Sequence, residues 1–468
     1  MPQPLSAAEP PFALGPLDGR YRAAVSPLVD HLSEAALNRE RVRVEVAWLL
    51  HLVDHRVVPG VRELTGPEHE QLQAVADGFG PADVGRLAAY ERETAHDVKA
   101  VEYFLKQALA GTTLEDLSEL VHFCCTSEDI NNLAYALMVR GAVRDVWLPA
   151  ATAVADDLAA LARAHRDLPM LAHTHGQPAT PTTLGKELAV MAQRLRRQLR
   201  RVDGAEFLGK LNGATGTFGA HVAAVPDADW PAISREFVES LGLQWNPLTT
   251  QIESHDWQAE LYADVARFNR ILHNVCTDVW TYISLGYFAQ QLGAHGSTGS
   301  STMPHKVNPI RFENAEANLE VSSALLDVLG STLVTSRLQR DLSDSSMQRT
   351  IGTAFGHSLL SIDNVRRGLA GLEVDRTALD RDLDQAWEVL GEPIQSAMRA
   401  LAAQGYPGMQ APYERLKELT RGRRVDAAAM HEFIASLNLP ADVEKRLQEL
   451  TPSSYTGLAS RLVDELDA

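Results

Sequence analysis

A polar, glycine-rich segment, GSSTMPHKVNP at 299–309, contains residue types that can carry out acid–base chemistry. Ser300 offers a hydroxyl, Lys306 a positive charge, and Pro309 is a favourable residue for the first turn of a helix. Backbone N–H groups at a helix start attract anions, and together with a lysine they could lower the pKa of a nearby hydroxyl. The segment predicts an anion site with a serine nucleophile or base, although a solvated surface loop has a similar composition.

Two histidines, His173 and His175, stand two residues apart in the segment LAHTHGQPATP. Imidazole titrates near neutral pH and can protonate a leaving group, so His175 is a candidate general acid. Pro178 and Pro181 favour a turn that would present this side chain rigidly. The same pair could instead be structural or bind a metal, but two ligands without a third nearby are weak evidence for zinc.

Cys124 and Cys125 follow His122 closely and could also suggest a metal. Adjacent cysteines lack the spacing of zinc-chelating pairs, so we predict that they are packed core residues. A metal hydrolase that uses His173, His175 and the cysteines is therefore the weakest of the alternative functions.

The charge balance limits the partners of the chain. Its 468 residues include 43 Lys and Arg against 61 Asp and Glu, a formal net charge of −18. A general nucleic-acid binder needs a basic face, so that class is excluded, and an anionic substrate needs a local cluster of cations. Three cysteines cannot build a disulfide framework. Without a signal-peptide pattern or an apolar run of about 18 residues, we expect a cytoplasmic protein with no membrane span.

Helical periodicity extends over long segments of the chain. The segments 146–166, 256–285 and 308–329 predict helices, because Gly and Pro are absent from them or occur only near their starts. In 183–202 the apolar residues recur at intervals of three or four, which places them on one stripe of a helix. This stripe consists of Leu184, Leu188, Met191, Leu195, Leu199 and Val202.

Strand signals are weak, and segments rich in Pro and Gly separate the helical ones, so we predict an all-α chain of three helical domains. The boundaries are 1–116 for an N-terminal domain, 117–367 for a central long-helix bundle and 368–468 for a C-terminal domain. A helix of about thirty residues is about 45 Å long. Helices of this length usually pack in a bundle, often across subunits, because a small domain cannot cover them.

Motifs along nearly the whole chain resemble those of the adenylosuccinate lyase family, in its longer bacterial branch, within the fumarase/aspartase superfamily. The segment GSSTMPHKVNP resembles the superfamily signature. The other matching segments are GRY at 19–21, HDVKAVEYFL at 96–105, TSEDINN at 126–132, THGQPATP at 174–181, GKLNGATG at 209–216, TTQIE at 249–253, RDLSDSSMQR at 340–349 and KELTRGRRVD at 417–426.

The resemblance implies a lyase of purine nucleotide biosynthesis. Its reaction would be β-elimination of fumarate from adenylosuccinate, giving AMP, and from the succinyl-carboxamide imidazole ribotide, giving AICAR. Such an elimination needs a base for a weakly acidic C–H proton, an acid for the leaving nitrogen, and cations around the phosphate and carboxylates. The family uses neither a metal nor an organic cofactor.

The resemblance also implies roles for individual residues. His175 matches the general acid and Ser300 the general base. Ala95 and Arg311 stand where close relatives usually have Asn and Asp, and we expect Arg311 to be peripheral. The implied substrate contacts are Arg20, Tyr21, His96, Asp97, Thr126, Ser127, Gln251, Ser301, Lys306, Val307, Asn308, Asn314, Arg340, Ser345 and Arg349.

The family resemblance further implies a homotetramer whose central helices form one twenty-helix core, with active sites assembled from neighbouring chains. Another superfamily lyase, such as argininosuccinate lyase, is the nearest alternative, although GRY, Gln251 and the 340–349 segment favour a nucleotide substrate. A non-catalytic helical scaffold is a further alternative, and the presence of His175 and Ser300 beside Lys306 argues against it.

Overall fold

A computed structural model of the chain describes residues 13–291, 303, 306–420 and 425–467. Its N-terminal part is a set of helices that begin at residues suited to capping. Ser33 Oγ accepts a hydrogen bond from the Ala36 N–H at the start of α3, and His96 Nδ1 accepts one from Lys99 N at the start of α6. The helices are α1 (Arg22–Val25), α2 (Val29–Leu32), α3 (Glu34–Asp54), α4 (Gly66–Asp77), α5 (Pro81–Thr94) and α6 (Asp97–Leu109), with 3-10 turns at Ser26–Leu28 and Glu115–Leu120.

Helices α3 to α6 enclose an apolar core of their own. Val42, Leu72, Leu87 and Val101, one residue from each helix, belong to one buried cluster. Burial of apolar side chains is the main force that holds short helices in place, because isolated helices of this length are marginal in water.

The middle of the chain contains the longest helices, and the prediction of an all-α fold is confirmed. Helix α9 covers the predicted stripe, of which Leu184, Leu195 and Val202 are fully buried. These elements are α7 (Ser127–Gly141), a π-helical turn (Ala142–Trp147), α8 (Leu148–Ala164), α9 (Leu184–Asp203), α10 (Gly219–Ala224), α11 (Trp230–Ser240), α12 (Asp256–Ser284), α13 (Ile310–Leu333), α14 (Ser343–Gln348) and α15 (Ile351–Ala370).

Buried hydrogen bonds join several of these long helices. Trp147 Nε1 donates to Ser358 Oγ at 2.9 Å, and Ser358 Oγ donates to Asn269 Oδ1 at 2.8 Å. Asn269 Nδ2 in turn donates to Ser322 Oγ at 3.0 Å. Because buried polar groups without partners are costly, this chain of bonds favours one register of α12, α13 and α15.

Strands are very short and form isolated pairs. Antiparallel pairs join β1 (Pro169–Met170) to β4 (Thr182–Thr183), β2 (His173–Thr174) to β3 (Gln177–Pro178), and β7 (Phe288–Gln290) to β8 (Leu372–Val374). A parallel pair joins β5 (Leu208–Gly209) to β6 (Gln244–Trp245). These pairs fix the ends of helices and do not build a sheet layer.

The C-terminal part is again helical and has its own apolar cluster, which includes Ile394, Met398 and Met430. Its elements are α16 (Arg376–Asp384), α17 (Gly391–Ala403), α18 (Pro412–Thr420), α19 (Ala427–Ser436), α20 (Ala441–Gln448) and α21 (Ala459–Leu462), with 3-10 turns at Trp387–Leu390 and Val463–Leu466.

The chain divides into two compact units. The first comprises the chain up to Ala151, Gln198–Arg270 and Ala317–Asp363, and the second comprises Thr152–Arg197, Ile271–Glu316 and the chain from Asn364. Each division falls inside a long helix, so it tests neither residue 116 nor residue 367 as a boundary. The three predicted domains remain a prediction.

Within the described ranges, the helices include none that is both long enough and apolar enough to cross a bilayer.

Candidate active site

The two units divide the predicted site residues between them. The second unit contains His175, Lys306, Val307, Asn308 and Asn314. Ser300 and Ser301 lie outside the described residues. The first unit contains Arg20, Tyr21, His96, Asp97, Thr126, Ser127, Gln251, Arg340, Ser345 and Arg349.

In the first unit, Arg340 brings together residues from three separate motifs. Its Nη2 donates to Ser345 Oγ at 3.0 Å, and its Nη1 donates to Gln251 Oε1 at 3.4 Å. The same Nη2 lies 2.9 Å from Oε1 of Glu128, which the sequence analysis did not include. The Arg340 Nε atom is buried and has no hydrogen-bond partner in the described structure.

Asp344 connects this arginine to a buried histidine. Asp344 Oδ1 lies 3.9 Å from Arg340 Nη2, and Asp344 Oδ2 lies 3.4 Å from His255 Nε2. The backbone at His255 has φ 61°, a left-handed conformation that non-glycine residues seldom adopt. The acidic residues of TSEDINN and RDLSDSS could have indicated Glu128 and Asp344 as partners, because each predicted arginine needs a carboxylate as counter-charge.

A second ionic network joins Arg349 to Asp97. Arg349 Nη2 lies 3.4 Å from Asp97 Oδ2, and Arg41 Nη2 donates to the same oxygen at 2.6 Å. Burial raises the pKa of Asp97, but the neighbouring Arg41 and then Arg349 outweigh this effect and hold the pKa below its usual value. Arg41 is almost fully buried and also donates to Asn131 Oδ1 at 2.9 Å. Nothing in the motifs pointed to Arg41, because it lies in an ordinary helical segment.

The N-terminal segment reaches the same region of the first unit. A cavity of about 190 Å³ is lined by Leu17, Asp18 and Arg349, among others. Arg20 follows closely, and its Cζ lies 6.0 Å from the ring centroid of Tyr21. Asp18 and Arg349 thus line one cavity from two distant parts of the sequence, and Arg20 lies two residues after Asp18 in the chain.

Thr126 and Ser127 stand at the start of α7, where free backbone N–H groups favour an anion. Asp129 fixes this start, because its Oδ2 accepts from Thr126 N at 2.8 Å and its Oδ1 accepts from Asn212 N at 2.9 Å. Asp129 is also 2.9 Å from Lys210 Nζ in a fully buried ion pair. The loop at 210–213 is thereby held against the helix that carries both hydroxyls.

Among the predicted substrate contacts, His96 has a structural role as well. Its Nδ1 accepts the Lys99 N–H and caps α6, while its side chain stays half exposed. The preceding residue, Ala95, has φ 51° and ψ 29° and ends α5 in the left-handed region. Asn adopts this conformation more readily than Ala, so the backbone here suits the Asn of the family pattern and Ala95 departs from it at a cost in backbone strain.

In the second unit, His175 occupies the turn of a two-residue hairpin. Strands β2 and β3 pair His173 with Pro178 and Thr174 with Gln177. His175 and Gly176 form the turn with φ 55° and 72°, the backbone required by a type I′ hairpin. The turn exposes the His175 side chain, and paired strands limit its movement, as expected for a group that must meet a substrate.

The segment before α13 presents Lys306, Val307 and Asn308. Lys306 N donates to Met303 O at 2.9 Å, and Gln290 Nε2 donates to Val307 O at 3.0 Å. The Lys306 side chain is exposed. An exposed cation at a helix start is suited to a carboxylate ligand.

Asn364 connects two further residues of α13 in this unit. Its Nδ2 donates to Asn314 Oδ1 at 3.1 Å, and its Oδ1 accepts from Arg311 Nη1 at 3.0 Å. Arg311 is therefore connected to Asn314, a predicted substrate contact, through Asn364. We interpret Arg311 as a supporting residue.

The cysteines and His122 do not form a metal group in the described residues. His122 Nδ1 lies 2.6 Å from Glu45 Oε1, and Glu45 together with Glu102 raises the pKa of His122 against the opposing effect of burial. Cys124 and Cys125 are half-buried free thiols, and burial raises the pKa of Cys124 to about 11. The metal-ligating side chains that do approach one another in the described ranges are His51, His55 and Glu236.

Comparisons with known proteins show the family to which the chain is similar. A family model described as Lyase matches residues 19–321, and one described as Adenylosuccinate lyase C-terminal matches residues 336–456. The chain is 50% identical over 455 residues to adenylosuccinate lyase from Escherichia coli K12, covering 97% of this chain and 98% of that protein. It is 48% identical over 455 residues to adenylosuccinate lyase from Haemophilus influenzae, with the same coverage.

Solved structures with lower identity share the fold. Fumarate lyase from Mesorhizobium sp. BNC1 superposes with a TM-score of 0.75 at 20% identity, covering 94% of this chain and 97% of that one. The 3-carboxy-cis,cis-muconate lactonizing enzyme from Pseudomonas putida gives a TM-score of 0.72 at 20% identity, covering 94% and 96%.

Proposed function

Because the chain belongs to the adenylosuccinate lyase family of the fumarase/aspartase superfamily, we propose that Ser300 is its general base and His175 its general acid. The chain is a carbon–nitrogen lyase. It removes fumarate from adenylosuccinate, giving AMP, and from the succinyl-carboxamide imidazole ribotide, giving AICAR. The base takes a proton from the carbon next to one succinyl carboxylate, and the C–N bond at the neighbouring carbon then breaks while the acid protonates the nitrogen.

The proposed roles follow from where charge develops in this reaction. Removing the C–H proton places negative charge on a group that already carries a carboxylate, so nearby cations must stabilise it. Lys306 and the N–H groups at the start of α13 are suited to this task. The hydroxyl of Ser300 becomes a base only if the same positive groups stabilise its alkoxide. The imidazole of His175 is the type of group that can donate a proton to the leaving nitrogen.

The observation that carries the proposed substrate site is the position of Arg340. Gln251 and Ser345 are far apart in the sequence, and both bond to its guanidinium. A substrate with one phosphate and two carboxylates needs several cations within an acidic protein, and the first unit offers Arg20, Arg340 and Arg349. We propose that this unit binds the phosphate, the nucleobase and one carboxylate of the substrate. The hydroxyls of Thr126 and Ser127 would contribute to this binding.

The ultraviolet spectrum of adenylosuccinate, followed together with fumarate release, tests the activity. Purified chain is expected to convert adenylosuccinate and to leave argininosuccinate unchanged. Ser300→Ala should abolish turnover while adenylosuccinate binding remains measurable by calorimetry, and Ser297→Ala serves as the matched control that stays active. An active Ser300→Ala enzyme would remove Ser300 from its role, whereas turnover of argininosuccinate alone would overturn the substrate assignment.

We also propose that four chains form one oligomer with shared active sites. Helix α13 supports this, because it is apolar on more than one side: Leu319 and Leu326 are buried, yet Val321 and Val328 are 44% and 48% exposed. Apolar side chains exposed along a long helix often mark a surface that a partner covers, and further copies of the chain would cover the two valines. The sequence resemblance implies that the corresponding helices of four chains form a common core.

Mixing two inactive variants tests the shared sites. Ser300→Ala chains and His175→Ala chains, unfolded together and refolded, should regain activity if one site takes these residues from different chains. Each variant refolded alone should stay inactive. Light scattering should give four chain masses for the native protein and a smaller assembly for Val321→Glu/Val328→Glu, with Val222→Glu on α10 as the control. A native monomer with full activity would contradict the proposal.

We place the enzyme in the cytoplasm, since the described structure has free thiols at all three cysteines and the substrates are phosphorylated metabolites. Fractionation of cells with an antibody to the chain tests this assignment.

A further inference from the structure

A group of potential metal ligands lies in the first unit, on residues that have no part in the proposed reaction. His51 is on α3, and His55 comes directly after the last residue of this helix, one turn beyond His51. Glu236 is on α11. One ring nitrogen of each histidine and one carboxylate oxygen of Glu236 lie within 4.8 Å of one another. The imidazole centroids are 4.1 Å apart, and His55 Nδ1 is 3.6 Å from Glu236 Oε1.

His51 provides a second observation that points to a ligand. Its side chain is only 8% exposed, and its Nε2 atom is buried without a hydrogen-bond partner. A buried polar atom without a partner costs free energy, and native proteins usually satisfy such atoms. The ring is held between Trp48 at 5.9 Å and Phe237 at 5.4 Å, so it cannot easily turn its nitrogens to solvent.

We propose that His51, His55 and Glu236 bind one divalent transition-metal ion of the zinc type, with water as the remaining ligand. Zinc takes imidazole nitrogen and carboxylate oxygen at about 2.0–2.2 Å in a tetrahedral site, which places neighbouring donor atoms roughly 3.4 Å apart. The donor atoms now lie within 4.8 Å of one another, and this distance shortens to about 3.4 Å if the exposed side chains of His55 and Glu236 rotate.

The surroundings suit a cation of this class. The His51 ring lies buried beside His55, so two imidazoles stand next to each other and can offer nitrogen ligands to one ion. Glu236 and Asp54 add negative charge beside the histidines. Two imidazoles favour Zn²⁺, Co²⁺, Ni²⁺ or Cu²⁺ over Mg²⁺ and Ca²⁺, which prefer oxygen ligands only.

The expected effect of this ion is on stability, because the ligands come from two helices. An ion bound by α3 and α11 cross-links them in the folded chain, and the three ligands are separated in the unfolded chain. Binding to the folded state alone raises the melting temperature as the concentration of free ion rises. The proposed elimination uses no side chain of this site, so stability and metal binding are measured here instead of enzyme activity.

Titration of chelator-treated protein with Zn²⁺ tests the site. Calorimetry should show one tight ion per chain, and differential scanning fluorimetry should show a rise in melting temperature. His55→Ala and Glu236→Gln, both changes of exposed side chains, should weaken the affinity at least about 10-fold and abolish the thermal shift. Matched controls are His431→Ala on α19, an exposed histidine, and Glu239→Gln, one turn further along α11, which should bind as the native chain does.

A second readout depends on the ligand set itself. Co²⁺ in a site with two imidazoles and one carboxylate should give a visible d–d absorption band. The band should disappear when Zn²⁺ replaces Co²⁺, and His55→Ala should not show it. The proposal is overturned if the native chain shows no thermal shift with Zn²⁺, if Mg²⁺ gives an equal shift, or if both ligand variants bind Zn²⁺ as tightly as the two controls.

Discussion

Arg340 Nη2 lies 2.9 Å from Oε1 of Glu128, a carboxylate whose side chain is 2% exposed. Burial raises the pKa of Glu128, and the charge of Arg340 together with a hydrogen bond from Asn131 opposes this rise. The pair fixes the direction of a guanidinium that also meets Gln251 and Ser345. Glu128 therefore acts on the proposed substrate through Arg340 and is a positioning residue.

Glu128→Gln should show this positioning role. The substitution keeps the size of the side chain but removes the charge that orients Arg340, so we expect KM for adenylosuccinate to rise about 10- to 100-fold. The melting temperature should fall, because Arg340 loses a buried counter-charge. Steady-state kinetics and thermal melts measure both effects, with the exposed Glu91→Gln as the control. A lower melting temperature with an unchanged KM would leave Glu128 with a structural role only.

Arg349→Met should separate binding from folding. Arg349 is 44% exposed and shares Asp97 with Arg41, which stays in place at 2.6 Å after the substitution. We therefore expect a small change in melting temperature and a rise in KM of about 10- to 100-fold, since a charged hydrogen bond to the substrate is lost. Arg337→Met removes a comparable surface ion pair with Asp341 and should leave KM unchanged. Equal KM values for the two variants would exclude Arg349 from the substrate site.

Glu68 should contribute to stability in a defined range of pH. Hydrogen bonds from Arg62, and then from the Thr65 backbone, lower the pKa of Glu68 from 4.5 to about 2. A carboxyl with a lowered pKa in the folded state stabilises above its unfolded pKa, and this contribution is lost as the pH falls towards 2. The melting temperatures of the native chain and Glu68→Gln should therefore differ most above pH 4.5 and converge at lower pH.

The matched control for this measurement is Glu70→Gln, which removes an exposed carboxylate from the same helix. Its difference from the native chain should be small at every pH. A Glu68→Gln curve that keeps a constant difference from the native curve down to acidic pH would show that the charge of Glu68 does not contribute to stability.

Ala95→Gly should stabilise the chain. Ala95 has φ 51°, and the left-handed conformation costs a residue with a Cβ atom about 1 kcal/mol that Gly avoids. Chemical denaturation should show this gain, while Ala89→Gly inside α5 should lose about 1 kcal/mol. Ala95→Asn is expected to fall between the native chain and Ala95→Gly, because Asn tolerates the left-handed region. A loss of stability in Ala95→Gly would mean that the methyl group makes packing contacts worth more than the strain.

Much of the candidate site was predictable because its residues lie in local motifs. Thr126, Ser127 and His175 occur at a helix start and in a proline-flanked turn, and both features depend on neighbours in the sequence. Arg41 was not predictable, because its role comes from Asp97 and Asn131, which lie 56 and 90 residues away. Ser300 remains a prediction from the motif that contains it.

The helical character of the chain and the chemistry of its motifs could be inferred from the amino-acid sequence. Apolar spacing and Pro or Gly breaks act over a few residues, so α9 and α12 could be placed almost to their ends. The pairing of Arg340 with Glu128 became visible only in the folded chain, as did the lack of a hydrogen-bond partner at His51 Nε2. Contacts between distant residues depend on how whole helices pack, and the sequence of a short segment does not specify which distant residues will lie beside it.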